Sequence, residues 1–533
     1  MRKNNVRILS ERVFDVLVIG GGINGAVSAA ALAARGASVA LIDKKDWASS
    51  TSQESSNLVW GGIKYLESYD FMLVNDLCKS RNQLIREYPS TVKEIRFLTT
   101  HEKTFRHWRI SLYAATWMYW FFGRGFTQKP RLFSKKGLAK HEPYVDVSNS
   151  DGGIEYSDAY LHDNDARFVF SFVRSALNHG CIAANYIEAL KTTRDSNAVS
   201  TTLSRDTISG QEFEIKSKII INACGPEVDN LNEINGVKTR HRHVLSKGIH
   251  LIVDRITEED RVLAFFADDG RLFFAIPMGP KTCIGTTDTR VDSLPTSVTD
   301  EDRDFVLKNI NKRLNLKYPL TRKDIISERC GVRPLVVKGG KSELGDWMQL
   351  SRKHAIEVNE NINQVNIFGG KLTDCLNVGE EVCDIVRRLG VKFEYESHKW
   401  FGEPGKTIHK DFLHEAKLMD LDGYTSKDSS EPLSERLWRR YGTEAFGLLE
   451  DIRHDPRNGE VLIEGAEYLR CEIQLAAKRE MIVKLDDFLR RRSNITLITR
   501  NSDLKKARGL KEACLIFFGK DAAREFDEYF ARY

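Results

Sequence analysis

The sequence predicts an α/β domain built on a buried parallel sheet, with an antiparallel sheet beside it and a helical domain at the C-terminus. Three observations carry this prediction. They are the order strand, glycine turn, helix, strand and acid between residues 14 and 43, a series of strands joined by tight turns from Val244 onward, and helical apolar spacing with few strand signals beyond Trp400.

The first unit is legible residue by residue. Residues 14–19 are short, apolar and β-branched, as a parallel strand buried on both faces should be. Gly20, Gly22 and Gly25 follow in G-x-G-x-x-G register. The first permits a tight turn, the second lets a pyrophosphate approach the backbone, and the third lets the helix lie close to the strand. An alanine-rich helix over residues 23–35 stops at Gly36, a left-handed cap, and its N-terminus offers free N–H groups and a positive dipole to phosphate. A second strand over residues 38–42 delivers Asp43, where a carboxylate can accept hydrogen bonds from an adenosine ribose. Together these make a Rossmann-like dinucleotide site.

The serine-rich stretch 49–57 reads either as a linker or as a loop offering hydroxyls and N–H groups to a bound cofactor. A polar helical region with a break at Pro89 follows, and residues 163–179 have helical spacing. A strand at 219–221 ends in Asn222-Ala223-Cys224-Gly225-Pro226, a second edge facing the cofactor. From Val244 the pattern turns antiparallel, with turns at Asp269-Gly270 and Met278-Gly279-Pro280, and predicts a separate sheet. Residues 364–368 return to an apolar strand, followed by Gly369, Gly370 and a helix over 372–389, so the chain revisits its first domain. Helices are expected at about 431–454, 460–491 and 502–531, joined to the rest through Gly402-Glu403-Pro404-Gly405, with Pro432 at a helix start.

With 533 residues and 41% hydrophobic content the chain can bury two or three cores. The balance of 80 basic against 75 acidic residues argues against a nucleic-acid partner and allows a mild attraction to anionic lipid. The nine cysteines lie singly with no C-x-x-C pair, which favours a reducing compartment over a zinc ribbon or disulfide framework; no metal site is expected. The N-terminus carries no secretory apolar core. The stretch 108–122, WRISLYAATWMYWFF, is too short to span a bilayer. With Arg106, His107, Arg109 and Arg124 around it, its aromatics suit the headgroup layer; the alternative is an ordinary buried helix of a substrate cap.

Six ordered motifs, GGGING at 20–25, SSNLVWGGIKYL at 55–66, NACGP at 222–226, IGTTD at 284–288, GVRPL at 331–335 and FGGKLT at 368–373, together with the segment 464–492, resemble the FAD-dependent glycerol-3-phosphate dehydrogenases of the aerobic, quinone-linked type. The resemblance extends over nearly the whole chain. It implies a glycine- and D-amino-acid-oxidase-like fold with FAD-binding parts at about 12–85, 150–240 and 355–398, a substrate cap at about 86–149 and 241–354, and a helical domain at 401–533. It also implies non-covalent FAD held by Gly20, Gly22, Asn24, Gly25, Asp43, Thr51, Ser52, Gly61, Gly62, Ala223, Gly225, Gly370, Leu372 and Thr373. The implied reaction is oxidation of sn-glycerol 3-phosphate to dihydroxyacetone phosphate by hydride transfer to the flavin. Electrons then pass to a quinone, on a cytoplasmic enzyme bound to the inner face of the membrane, with a homodimer as one open arrangement.

Such a reaction needs a hydride acceptor, a proton acceptor, a cation near the developing oxyanion and an anchor for phosphate. By resemblance, Arg333 reaches the substrate, Lys371 sits near the flavin and the reacting carbon, and His250 is the active-site histidine, a role Lys371 could share. Arg352 matches a phosphate-binding arginine whose planar fork suits phosphate, and Lys64 and Tyr65 contact the substrate. The sequence departs from the family's SSKLIHGGLRYL at Asn57, Trp60 and Lys64. Lys64 keeps the charge without bidentate geometry, and Trp60 replaces a titratable group with bulk. These changes leave open another polyol phosphate, an amine or amino acid, and a flavin-bound protein without turnover. The aromatic segment 108–122 favours quinone over oxygen as electron acceptor, as does the lack of the long polar insertion of the related oxidases, and with no EF-hand loop calcium regulation is not expected.

Overall fold

The computed structural model describes residues 1–103, 108–194, 199–339, 354–426, 429, 431–463 and 466–532. Two sheets organise the first 400 residues. The first holds β1 (Val13–Ile19), β2 (Val39–Asp43), β7 (Ile182–Asn185), β8 (Ile187–Arg194), β9 (Ser200–Asp206), β10 (Glu212–Asn222), β17 (Ala355–Asn359) and β18 (Gln364–Phe368). Its central order is β17-β18-β10-β1-β2-β7, parallel from β18 to β7, with β17 antiparallel at the edge.

The reason β1 is apolar apart from Asp15 is visible in its two faces. Val16 and Val18 join the core beneath the helices Ile23–Ala34, Asp165–Asn178 and Cys375–Arg388, while Leu17 and Ile19 join Ala40, Ile42 and Ile220 on the other side. Eleven of the twelve residues of Ile23–Ala34 are buried, and its alanines let both neighbouring helices approach closely. The helix ends as the sequence predicts, with Gly36 at φ +86°.

The second sheet holds β3 (Leu58–Val59), β4 (Val92–Glu102), β5 (Arg131–Ser134), β6 (Ser150–Leu161), β11 (His241–Asp254), β12 (Arg261–Phe266), β13 (Leu272–Met278), β14 (Lys281–Gly285), β15 (Thr289–Val291) and β16 (Ser327–Lys338). The predicted hairpins from Val244 form, and β11 pairs with β14 on one side and with β16 on the other. Strand β6 falls inside the stretch expected to bind cofactor, yet it pairs with β4 and belongs to this second sheet. Its partner is set by a contact some fifty residues away in sequence, which local patterning does not reveal. One face of the sheet packs on the helix Asp300–Arg313 through Ile249, Leu251, Phe273, Ile284 and Val306. The opposite face carries Ile252, Val262, Ile276 and Cys283, and meets Trp60 and Tyr65.

The C-terminal helices are shorter than predicted. The expected continuous helix over 460–491 ends at Arg479, and Met481 takes φ +50°. The Asp487 carboxylate then accepts hydrogen bonds from the amides of Val483 and Lys484, both at 2.8 Å, and opens a π-helical turn over Asp487–Arg492. The aromatic stretch forms the helix Arg109–Phe122, in which only Thr116 and Tyr119 are buried. It is therefore not the buried cap helix of the alternative reading: Trp108, Ile110 and Phe121 are 83%, 70% and 69% exposed. Arg106 and His107 lie outside the described residues. Among the described residues no helix is long and apolar enough to cross a membrane.

Candidate active site

The glycine turn packs as its spacing demands. Gly20 has φ +104°, and a Cβ there would lie 2.5 Å from the Ala223 carbonyl oxygen. A Cβ on Gly25 would lie 1.8 Å from the Gly20 carbonyl oxygen, so the helix can approach the strand only with glycine at that position. A Cβ on Gly22 would meet only the Ser52 Oγ, at 3.3 Å, which leaves this side of the backbone open to a ligand.

The turn opens into a cavity of about 350 Å³, within the range of about 300–1,000 Å³ usual for small-molecule sites. Asn24, Asp43, Thr51, Ser52, Ala223, Gly225 and Gly370 line it, and so do the remaining residues of 48–54, so the serine-rich stretch forms a wall of the cavity. Asp43 is already engaged, accepting from the amides of Gly21 at 2.7 Å and Lys45 at 2.8 Å, while burial pushes its carboxyl up to about 6. A dinucleotide fits this lining. Gly22, open on its Cβ side, is the N-cap of the helix Ile23–Ala34, so a pyrophosphate there would meet the positive end of the helix dipole. Ile187, Ala189 and Leu231 give one end of the cavity an apolar wall suited to adenine. A second cleft of about 440 Å³ lies between Lys281 and residues 498–507. It carries no such signal, since Lys281 pairs with Asp254 and Arg500 is spent on the backbone carbonyls of Lys323 and Ile325.

Gly61, Gly62, Leu372 and Thr373 lie outside the lining of this cavity and bridge the two sheets. Gly61 N donates to Asp158 at 3.0 Å, and Gly62 has φ +81°. Thr373 Oγ1 donates to the Trp60 carbonyl at 3.2 Å, and Leu372 packs against the core of the first domain. Nearby, Lys371 Nζ stands 4.1 Å from the centre of the Tyr65 ring, and Trp60 packs 6.4 Å from the same ring. Lys64, in the same short turn, is exposed.

The sheet face that meets this cluster carries the remaining candidates. His250 on β11 stands opposite Gly285 on β14 and opposite Arg329 on β16, and Gly285 in turn stands opposite Phe274, which packs with Trp60 and Tyr65. His250 is 3% exposed, and neither ring nitrogen has a hydrogen-bond partner among the described residues. Burial, reinforced by Arg329 and Arg333, pushes its imidazole down to about 3. Arg333 lies across Gly248, where a Cβ would come 2.2 Å from its guanidinium. It donates to Thr286 Oγ1 at 2.8 Å and stands 3.4 Å from Asp288. His250 and Arg333 thus share one face, while Arg352 lies outside the described residues.

Sequence reasoning missed Arg329. It is 1% exposed, and its guanidinium donates to the Ser55 carbonyl and, at 3.0 Å, to Asn57 Oδ1. A guanidinium therefore reaches position 57 from a neighbouring strand. The signal was available in the two-residue alternation of GVRPL, which puts Arg329 on the same strand face as Arg333.

Comparison with known proteins gives consistent results. Residues 15–348 match the family model described as FAD dependent oxidoreductase, and residues 407–524 match the C-terminal domain of alpha-glycerophosphate oxidase. The chain is 31% identical over 511 residues to the aerobic glycerol-3-phosphate dehydrogenase of Staphylococcus epidermidis, covering 92% of this chain and 88% of that protein. It is 28% identical over 530 residues to the aerobic glycerol-3-phosphate dehydrogenase of Bacillus subtilis, covering 96% and 92%. The crystal structure of the Bacillus halodurans glycerol-3-phosphate dehydrogenase complexed with FAD superimposes with a TM-score of 0.74 at 25% identity, over 99% of this chain and 96% of that one. The two family models, the curated relatives and the solved structure agree, and the chain belongs to the FAD-dependent glycerol-3-phosphate dehydrogenase family.

Proposed function

We propose that the chain oxidises sn-glycerol 3-phosphate to dihydroxyacetone phosphate and delivers the electrons to a membrane quinone. The observation that carries this reading is His250, buried with both ring nitrogens unpartnered among the described residues, between Arg329 and the face that meets Trp60 and Tyr65. FAD, when bound, supplies the hydride acceptor. Burial, Arg329 and Arg333 push the His250 imidazole down to about 3 and keep it neutral; an anionic phosphate ester would offset the two arginines and raise its basicity, so that an unpartnered ring nitrogen takes the hydroxyl proton as the hydride leaves. Arg333 and Lys371 place positive charge where the alkoxide develops, and the Tyr65 ring holds the Lys371 ammonium in place. Lys64 and Arg352 are the proposed phosphate anchors. The names carried by the relatives support the substrate, and the exposed aromatics of Arg109–Phe122 support attachment to the inner face of the cytoplasmic membrane, where the quinone resides.

Anaerobic addition of substrate to the purified holoprotein tests the reading. sn-Glycerol 3-phosphate should bleach the flavin, and glycine and D-amino acids should not. A flavin that stays oxidised with the phosphate ester overturns the proposal, and faster bleaching by a longer polyol phosphate in the same panel would move the substrate within the class.

A further inference from the structure

The loop after β2 is held from two sides. Toward the glycine turn, Trp47 is fully buried and its ring occupies the space beside Gly21, where a Cβ would come within 2.3 Å of it. Ala48 N donates to the Gly21 carbonyl at 2.9 Å, and Ile23 N to Ser52 Oγ at 3.0 Å. On its other side the same loop meets three consecutive arginines from the C-terminal domain. Arg492 grips Asp46 with both guanidinium nitrogens, at 2.7 and 2.9 Å, and Arg491 Nε reaches Asp46 at 2.7 Å. Arg491 also donates to Gln53 Oε1 at 3.3 Å, and Arg490 donates to the Gln53 carbonyl and stands 3.6 Å from Glu54.

All these charges are out of water: Asp46 and Arg492 are 0% exposed, and Arg490 and Arg491 are 7% and 5%. Charges are desolvated in this way only where geometry pairs them well, and a bidentate guanidinium on a carboxylate fixes direction as well as distance. The π-helical turn that presents the three side chains is itself anchored, since Asn164 Nδ2 donates to the carbonyls of Arg490 at 2.9 Å and Ser493 at 2.5 Å. Gln53 and Glu54, the residues Arg490 holds, line the dinucleotide cavity, and Asp46 lies three residues after Asp43.

We infer that Arg490, Arg491 and Arg492 are positioning residues for the cofactor, through which docking of the C-terminal helical domain and binding of FAD are thermodynamically coupled. The helical domain sets the wall of the cofactor site, and by reciprocity the occupied site steadies the docked domain. The inference rests on FAD as the ligand and is independent of which alcohol is oxidised.

The test uses the full-length chain with and without FAD. Hydrogen exchange at the amides of residues 487–493 should slow about tenfold or more when FAD binds to the wild type, the scale of an ordinary coupling between sites. Arg490→Gln and Arg491→Gln should weaken FAD affinity about tenfold, measured by quenching of flavin fluorescence, and should shrink that protection, with Arg490→Lys recovering part of both. Exchange within the helix Arg508–Phe518 reports whether each variant keeps its fold. Wild-type exchange at 487–493 that is indifferent to FAD overturns the inference, even if a variant fails to fold, and so does unchanged FAD affinity in both folded glutamine variants.

Discussion

Replacing Gly285 by alanine would test the placement of His250 without touching the histidine. The new Cβ would lie 2.6 Å from His250 Cδ2 and 2.7 Å from the Ile249 carbonyl oxygen. Since carbon atoms settle at about 3.5–4.0 Å, the imidazole must retreat by about 1 Å. A catalytic group displaced by that much loses about 10²-fold in rate, roughly 2.7 kcal/mol at about 1.36 kcal/mol per tenfold. The Ile249 carbonyl belongs to the backbone and cannot rotate away, so β11 and β14 must also part slightly, at about 1–3 kcal/mol of stability. The assay is rapid anaerobic mixing of FAD-loaded enzyme with sn-glycerol 3-phosphate, following flavin bleaching. Gly285→Ala should reduce its flavin about 10²-fold more slowly while retaining wild-type FAD content, because Gly285 does not line the cofactor cavity. His250→Asn should lose about 10²–10⁴-fold, and the double variant should be no slower than His250→Asn alone, since one ring cannot be displaced once it is gone. Bleaching by Gly285→Ala at the wild-type rate, or fully additive losses in the double variant, would refute the placement of His250 beside the reacting carbon.

Three further outcomes are expected. Gly25→Ala drives a Cβ to 1.8 Å from the Gly20 carbonyl oxygen, so the purified protein should lack flavin colour; a yellow variant would contradict the packing of the turn. His354 is half-buried, and the desolvation of its ring opposes its charge, but Asp374 at 3.0 Å and Glu381 at 2.8 Å outweigh that and raise it to about 9. A histidine raised in this way stabilises the fold fully below its unfolded value near 6.5 and loses that contribution as pH climbs through about 9. Chemical denaturation should accordingly show wild type ahead of His354→Gln by about 2–3 kcal/mol at pH about 6, with the gap closing by pH about 10. Trp108→Ser and Phe121→Ser, at the two ends of Arg109–Phe122, should each weaken sedimentation with anionic vesicles about tenfold and leave turnover with a soluble acceptor intact; unchanged sedimentation would remove the membrane assignment.

The parts of the molecule written in short-range pattern were legible in advance. The β1 strand, glycine turn, helix and Asp43 lie within a residue of their predicted places, because their glycines and alternating burial are dictated by neighbours a few residues away. What depends on distant pairing was not legible. The β6 strand went to the other sheet because β4 claims it, and the predicted 460–491 helix breaks where the Asp487 carboxylate captures two amides. The site divides along the same line. Gly20, Gly22 and Gly25 announce themselves by spacing, whereas Arg329 matters only because it folds opposite His250, and Arg490–Arg492 only because Asp46 and Gln53 come to meet them. Three adjacent arginines cannot all face one solvated side of a helix, and that clue was present in the sequence.

Strand β11 has a mechanical meaning of its own. Its fourteen residues extend about 46 Å at ~3.3 Å per residue. At its beginning His241 grips Glu357 at 2.5 Å and His243 Nε2 accepts from the Gly369 amide at 3.0 Å, both in the cofactor domain, while His250 stands further along in the substrate sheet. A single strand of the substrate sheet therefore reaches the cofactor domain at its first residues. The separation between His250 and the cofactor domain is thereby set by one strand and by the contacts at its first residues.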